Sequence, residues 1–186
     1  MEINSQVVQE ENKTSLKEDI FDWIESTAIS IFAVVLIFTF IFRSINISGS
    51  SMNPTLFNEE KVITTKLFYT PDNGDIIVAY SHGLEKTIVK RVIAKENQEV
   101  DIDFEKGEVY VDGELQDEPY VAEPTHTFEG VEFPVTVPEG CVFVMGDNRN
   151  GSTDSRSTIV GFIDERDIIG KVIFRFYPFN KIGILG

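Results

Sequence analysis

The residues best suited to chemistry fall into three short segments. The first, residues 48–56, reads SGSSMNPTL and holds Ser51 between a glycine and a proline. A constrained turn of this kind can present a hydroxyl while its own amide stays free to donate. Serine, glycine and proline are also ordinary loop residues. The segment is therefore either a turn that presents a nucleophile or a polar linker.

The second segment, TIVKRVIA at residues 87–94, has the composition of a β-strand. In a strand Ile88, Lys90 and Val92 share one face. Burial between two branched aliphatic side chains disfavours the charged ammonium, and full burial can lower a lysine pKa by about 3–5 units. A neutral lysine is a usable general base at neutral pH. The alternative is an edge lysine that points into water.

The third segment, GDNRNGSTDSR at residues 146–156, follows the apolar run at residues 141–145. It concentrates aspartate, arginine, asparagine and serine side chains that can bond to one another. Asp154 and Arg156 have the charges and spacing for an ion pair that fixes a polar site. A solvated surface loop is the alternative interpretation.

An uncharged apolar run precedes all three segments. Residues 26–42 read STAISIFAVVLIFTFIF, and as a helix they would span about 25 Å, near the lower limit for a bilayer core. Trp23 and Arg43 stand at its two margins, as interfacial residues do. We predict a single transmembrane helix. A cleaved secretory signal fits poorly with the long acidic segment before it, and a buried soluble helix fits poorly with the lack of a polar face.

Composition excludes several classes of function. The 186 residues carry a net charge of -15, which argues against a nucleic-acid partner because phosphate binding needs clustered lysine and arginine. Residues 1–25 form an acidic tail before the apolar run. One cysteine, Cys141, excludes an intramolecular disulfide, and with two histidines it argues against a metal site of the Cys/His type.

The remainder of the chain, residues 44–186, has the texture of a mostly β domain, either a sandwich or a partly open barrel. Predicted strands lie at residues 61–67, 75–80, 87–94, 108–111, 131–137, 141–145 and 171–176. Asp112 and Gly113 form a strong hairpin signal. Residues 95–135 are acidic and rich in proline, and are either an inserted β subdomain or a long solvated meander.

Taken together, these segments resemble the signature boxes of bacterial type I signal peptidases. The matching stretches are SMNPT at 51–55, NGDIIV at 73–78, Lys90 with Arg91, the box at 146–156 and FRFYPF at 174–179. The resemblance runs from about residue 25 to the C-terminus. Lysine at position 90, where an endoplasmic-reticulum-like branch has histidine, is similar to the ordinary bacterial type. One membrane segment and a compact domain are similar to the Gram-positive form.

The resemblance implies a Ser/Lys endopeptidase that removes signal peptides from exported preproteins and cleaves after small residues. By position, Ser51 resembles the family's nucleophile, Lys90 its general base and Ser152 the hydroxyl that orients the lysine amine. The implied fold is a coiled β-sheet with an SH3-like barrel. The implied mechanism uses no metal and no organic cofactor.

The same resemblance assigns two further groups of residues. Those that support the site are Asp154, Arg156, Asp147 and Arg91, the first two as an ion pair. Candidate walls of the substrate pocket are Ile47, Met52, Val78 and Val89, for which ordinary core packing is the alternative.

One position departs from part of the family. Some members carry a serine two residues before the nucleophile, and its hydroxyl helps to bind the oxyanion. This chain has Gly49 there. The amide of Ser51 would then be the main oxyanion donor, with Ser50 nearby.

The resemblance also implies a single-pass protein of the cell membrane, with a cytoplasmic N-terminus and an extracytoplasmic catalytic domain. Its partners would be exported preproteins and the lipid bilayer. Two rival functions remain. A self-cleaving repressor-type Ser/Lys protease is opposed by residues 26–42, because such proteins are soluble. An inactive membrane-anchored β-domain that binds exported chains is opposed by the intact Ser51 and Lys90.

Overall fold

The computed structural model describes the backbone of residues 2–185 and the side chains of residues 20–39 and 41–185. The chain divides into a helical unit and a β unit. The helical unit is one α-helix, α1 (Glu2–Ile41). The β unit begins at Phe42, which the sequence placed at the end of the apolar run.

The second half of α1 has the length and composition of a membrane span. Ile20–Thr39 is 20 residues long with a mean hydropathy of 1.9, and a helix of that length can cross a bilayer core. The hydroxyls of Ser30 and Thr39 donate to the carbonyls of Ser26 and Val35, each at 2.7 Å and one turn earlier. These hydroxyls are thereby satisfied within the helix, as a lipid environment requires.

The β unit contains twelve strands among the residues described. They are β1 (Phe42–Asn46), β2 (Lys61–Thr65), β3 (Ile76–Ser81), β4 (Lys86–Ala94), β5 (Glu99–Asp103), β6 (Glu108–Val111), β7 (Glu114–Leu115), β8 (Val135–Thr136), β9 (Cys141–Met145), β10 (Ile163–Asp164), β11 (Ile168–Tyr177) and β12 (Gly183–Ile184). Three short 3-10 helices complete the described structure, at Arg149–Gly151, Glu165–Asp167 and Phe179–Lys181.

The strands form two antiparallel sheets. The larger has the order β1-β2-β11-β3-β4-β9-β10, with β12 beside β11, and the smaller has the order β7-β6-β5-β8. The prediction of a mostly β domain after one apolar helix is confirmed. The larger sheet is open, because its end strands β1 and β10 do not pair with each other in the described part of the chain. The expected SH3-like barrel is therefore not closed.

Local sequence explains the hairpin between β6 and β7. Asp112 and Gly113 both have positive φ, at 53° and 79°, and a two-residue turn with that geometry matches the twist of the strands that it joins. Tyr110 then pairs with Leu115. The hairpin predicted at this dipeptide is confirmed.

Residues 95–135 contribute most of the smaller sheet, but that sheet does not have a core of its own. Val100 and Val109 from it pack with Ile93 of β4 and with Phe143 and Met145 of β9 in one hydrophobic cluster. This shared core fixes β4 and β9 from one side. Lys90 lies on β4, and the loop that carries Ser152 and Asp154 follows β9.

Candidate active site

A cleft lies between the segment that follows β1 and the first half of β4. Its volume is about 510 Å³. Residues 45–52 line one part of it and residues 86–90 another, together with Gly151 and Thr153. Ser51 and Lys90, which come from separate segments of the sequence, therefore line the same cleft.

The turn that carries Ser51 is anchored by buried neighbours. Met52 is 2% exposed and Leu56 is fully buried, and the Leu56 N–H donates to the Met52 carbonyl at 2.9 Å. Both side chains belong to the hydrophobic cluster that includes Val62 and Val78. Ser51 itself is half-buried. The buried side chains of Met52 and Leu56 therefore anchor the turn, while Ser51 lines the cleft.

Backbone conformation explains the glycine at position 49. Gly49 has a φ of +93°, and its N–H donates to Asn58 Oδ1 at 2.9 Å. A residue with a Cβ pays roughly 1–2 kcal/mol in the left-handed region. The serine that some family members carry at this position would therefore be strained in this turn.

Lys90 is buried, with 4% of its surface exposed. Burial lowers the pKa of its ammonium from 10.5 to about 8. The positive charges of Lys86 and Arg156 act in the same direction, and the carboxylates of Asp154 and Glu129 oppose it. No hydrogen bond or ion pair to Lys90 Nζ is formed within the described part of the chain. The amine is therefore available to a substrate or to Ser51.

Asp154 is the centre of the loop that faces Lys90. Its carboxylate is fully buried and accepts from the Gly146 N–H at 2.9 Å and from the Ser152 hydroxyl at 2.7 Å. Arg156 Nε donates to Oδ1 at 2.8 Å and Arg156 Nη2 donates to Oδ2 at 2.9 Å. The loop is thus built around one compensated buried carboxylate rather than being a solvated surface loop.

The Ser152 hydroxyl has a different partner from the one expected. The sequence resemblance assigns this hydroxyl to the amine of Lys90. In the structure the hydroxyl donates a hydrogen bond to Asp154 Oδ2. A hydroxyl oxygen keeps two lone pairs that can accept. Ser152 can therefore accept from Lys90 while its hydroxyl donates to Asp154.

Two further buried ion pairs surround this loop. Arg91 pairs with Asp147, and Arg149 pairs with Glu118 through two hydrogen bonds of 2.6 and 2.7 Å. The ring centroid of Tyr120 lies 3.9 Å from the Arg91 guanidinium. Glu118 and Tyr120 come from the chain between β7 and β8, so this stretch supports the candidate site directly.

Sequence reasoning missed Glu118, Tyr120 and Gly146. The first two lie in the acidic stretch at residues 95–135, and nothing in the local pattern links them to arginines some 30 residues away in sequence. At Gly146 a Cβ would overlap both Ser152 Oγ and the Ser51 carbonyl oxygen. Only the tertiary contact requires glycine there.

Three of the four predicted pocket walls line the cleft, namely Ile47, Met52 and Val89. Val78 does not. It is fully buried in the hydrophobic cluster with Ile76, because the pairing of β3 with β4 on one side and β11 on the other leaves it inside the sheet.

Comparison with known proteins identifies the family. The family model described as "Signal peptidase, peptidase S26" matches residues 20–177. The chain is 36% identical to signal peptidase I of Bacillus licheniformis over 185 residues, which cover 93% of this chain and 97% of the relative. It is 36% identical to signal peptidase I S of Bacillus subtilis (strain 168) over 179 residues, which cover 90% of this chain and 95% of the relative.

A solved structure also matches. It is the crystal structure of a signal peptidase I from Enterococcus faecalis V583, with 30% identity and a TM-score of 0.47, and the match covers 55% of this chain and 97% of that one. The family match and the two Bacillus relatives each extend over most of the chain. The chain belongs to the signal peptidase family, peptidase S26.

Proposed function

We propose that this protein is a membrane-anchored type I signal peptidase, a serine endopeptidase that cleaves signal peptides from exported preproteins with Ser51 and Lys90. The observation that carries the residue assignment is their placement in one cleft, with Lys90 buried and its amine unpaired among the described residues. The family membership and the signal peptidase relatives support the substrate class.

The reaction follows from these groups. Neutral Lys90 Nζ takes the proton from Ser51 Oγ as the oxygen attacks the scissile carbonyl carbon. The carbonyl oxygen becomes an oxyanion and accepts from the Ser51 N–H, and one such donor is worth about 2.7–4 kcal/mol in a protease. The protonated Lys90 then gives its proton to the leaving amine as the C–N bond breaks. Water, deprotonated by Lys90, resolves the acyl-enzyme.

The cleft suits an extended peptide. β4 pairs with β3 over residues 86–91 but with β9 only from Arg91 onward. One edge of residues 86–90 therefore has no strand partner among the described residues, and its amides and carbonyls are open to an added strand. Ile47, Met52 and Val89 give the cleft that holds Ser51 apolar walls. We propose that these walls exclude large side chains, so that cleavage follows small residues.

The membrane orientation is part of the proposal. The N-terminus lies in the cytoplasm and residues 42–186 lie on the outer face, where exported chains emerge. Protease added to intact cells should digest the β domain, and full protection until the membrane is opened would contradict this orientation.

The function is tested by processing of a preprotein in detergent or vesicles. Ser51→Ala should abolish cleavage because the nucleophile is lost. Lys90→Arg should also be inactive, because a guanidinium stays protonated and cannot accept the serine proton. Ser44→Ala, an exposed serine on β1, and Lys95→Arg are the matched controls and should process normally. Binding without cleavage by the wild type would show an exported-chain binder instead. Cleavage by Ser51→Ala at the wild-type rate would show that Ser51 is not the nucleophile.

A further inference from the structure

One residue next to the ion-paired loop contacts the backbone on both sides of Ser51. The Asn148 N–H donates to the Ser51 carbonyl at 3.0 Å. The Asn148 side-chain Nδ2 donates to the Ser50 carbonyl at 3.2 Å. Ser50 and Ser51 are 98 and 97 positions earlier in the chain, so these contacts join two segments that meet only in the folded protein.

The peptide plane explains why the Ser50 carbonyl matters. The bond between Ser50 and Ser51 is trans, and in a planar trans peptide the carbonyl of one residue and the N–H of the next point in opposite directions. A hydrogen bond that fixes the Ser50 carbonyl therefore also fixes the direction of the Ser51 N–H. That N–H is the oxyanion donor of the proposed mechanism.

The second bond fixes the following peptide plane. With the carbonyls of Ser50 and Ser51 both held, the two planes that flank the Ser51 Cα are set, and so is the direction of its Cβ. The Asn53 N–H also donates to the Ser50 carbonyl, at 3.1 Å. This bond lies within the turn itself, so Asn148 supplies the link between the turn and the loop opposite.

The local structure around Asn148 shows that its side chain is directed to this task. Asn148 is the N-cap of the 3-10 helix Arg149–Gly151, yet it makes no side-chain capping hydrogen bond. An N-cap asparagine usually accepts from its own helix. Here the amide reaches the turn at residues 50–56 that carries the proposed nucleophile Ser51, called the nucleophile turn below. A Cβ on Gly151 would lie 2.7 Å from Asn148 Nδ2, so the glycine leaves room for that amide.

The residue before Asn148 holds it in place. Asp147 is fully buried and pairs with Arg91. The Asn148 carbonyl in turn accepts from the Gly151 N–H at 3.0 Å. Both backbone polar groups of Asn148 are therefore hydrogen-bonded, whereas its side chain is half-buried and its amide contact is exposed.

We infer that Asn148 is a positioning residue that orients the Ser51 N–H toward the oxyanion and the Ser51 hydroxyl toward Lys90. This inference rests on the proposed function. It predicts that the Asn148 side chain contributes to the chemical step and little to substrate binding, to stability or to the proton affinity of Lys90.

The test compares variants on the alkaline plateau of the pH profile. Lys90 is neutral there, so a nearby charge no longer changes the fraction of enzyme with a neutral lysine. Asn148→Ala should lower kcat by about ten- to a hundredfold with KM within about threefold, because misalignment at the reacting atoms reduces the rate. Asn148→Asp keeps the size but sets an acceptor against the Ser50 carbonyl, and should lose at least as much. Asn150→Ala is the control. Its amide bonds to the segment at residues 124–127, and its kcat should stay within about twofold.

The outcomes are separable. Wild-type kcat in Asn148→Ala or in Asn148→Asp would overturn the inference while leaving the function standing. A rise in KM alone would assign Asn148 to substrate binding, and a melting temperature well below that of Asn150→Ala would assign it to the fold. Both results would overturn the positioning role. Failure of the function itself would appear separately, as cleavage that survives Ser51→Ala.

Discussion

Arg91 and Asp147 form a buried ion pair with two parallel hydrogen bonds. Arg91 Nε lies 2.9 Å from Asp147 Oδ1, and Arg91 Nη2 lies 2.7 Å from Oδ2. Arg91 directly follows Lys90 on β4, and Asp147 opens the loop that contains Ser152 and Asp154. The Thr55 hydroxyl, from the nucleophile turn, donates to the same Oδ2. One carboxylate therefore joins the three segments that build the candidate site.

Replacing this carboxylate should cost both stability and activity. In Asp147→Ala the Arg91 guanidinium remains buried without its partner, a situation that typically costs about 3–5 kcal/mol. Urea titration of the purified protein measures the free energy of unfolding. Preprotein cleavage should fall as well, because the nucleophile turn and β4 lose their common contact.

The matched control is an exposed ion pair of the same kind. Lys95 and Asp72 are 2.8 Å apart, with side chains 40% and 73% exposed. Surface pairs of this sort are worth about 0–1 kcal/mol. If Asp72→Ala and Asp147→Ala destabilise equally, the Arg91–Asp147 pair does not hold the three segments together.

The buried lysine predicts the pH dependence of cleavage. Since burial lowers the pKa of Lys90 from 10.5 to about 8, the amine of the free enzyme loses its proton as the pH rises through that value. The neutral form is the proposed general base, so kcat/KM should rise with pH and be half-maximal near pH 8. A rate profile with a half-maximum near 10 would show that Lys90 is solvated in the active enzyme.

The lowered pKa of Lys90 also makes the stability of the folded protein depend on pH. The folded protein releases the Lys90 proton at about 8 and the unfolded chain at 10.5, so between these values the unfolded state binds more protons. Stability from this group therefore increases as the pH rises through that window. The difference in unfolding free energy between wild type and Lys90→Met should change most across the same window and level off below it.

Two charged residues near Lys90 should shift the pH profile of kcat/KM in opposite directions. Lys86 lowers the pKa of Lys90 and Glu129 raises it. Asp154 also raises this pKa, and Arg156 also lowers it. Lys86→Gln should therefore move the half-maximum of kcat/KM up, and Glu129→Gln should move it down, each by roughly a few tenths of a pH unit.

Measuring the pH profile at low and high salt distinguishes the electrostatic effects of Lys86→Gln and Glu129→Gln from a change of structure. Lys86 is exposed, so its influence should fade at high ionic strength. One Oε of Glu129 is buried and has no hydrogen-bond partner among the residues that the structure describes, and its influence should persist. Lys95→Gln, whose charge is not among the largest influences on Lys90, should leave the profile in place. A shift of both variants in the same direction would contradict the proposed field.

The sequence predicted strands such as β3, β4 and β9 and missed others, among them β1 and β5. β3 and β4 are rich in Val and Ile and were expected within one residue of their bounds. β5 (Glu99–Asp103) was not expected. Its Val100 and Ile102 face the core while the acids between them face solvent, and so acidic a stretch was interpreted as part of a subdomain or meander.

The candidate site shows the same division. Types and spacing made Ser51, Lys90 and the pair Asp154–Arg156 candidates, and the family resemblance of their short segments selected them. The partners of Arg91 and Arg149 could not be derived, since they depend on how distant segments meet. The partner of Ser152 also depends on tertiary placement, because a local pattern does not show which of two buried groups a hydroxyl reaches.

The observed hydrogen bond of the Ser152 hydroxyl predicts separate effects on stability and on cleavage when that hydroxyl is removed. It donates one of several hydrogen bonds to the Asp154 carboxylate. Ser152→Ala should cost roughly 1–3 kcal/mol, whereas Asp154→Ala leaves Arg156 buried and unpaired and should cost about 3–5 kcal/mol. Cleavage by Ser152→Ala should fall further than its stability explains, because the oxygen that can accept from Lys90 is gone.

Ser155→Ala separates the two roles of such a hydroxyl. Ser155 is buried in the same loop, and its Oγ accepts from the Val144 N–H at 3.0 Å. Its loss leaves a buried amide unpaired and so should destabilise the protein by a similar amount, but it removes no acceptor for Lys90. At a temperature where both variants are folded, Ser155→Ala should cleave at close to the wild-type rate and Ser152→Ala should not. Equal rates in the two variants would mean that Ser152 serves only the Asp154 carboxylate, and that another group orients the lysine amine.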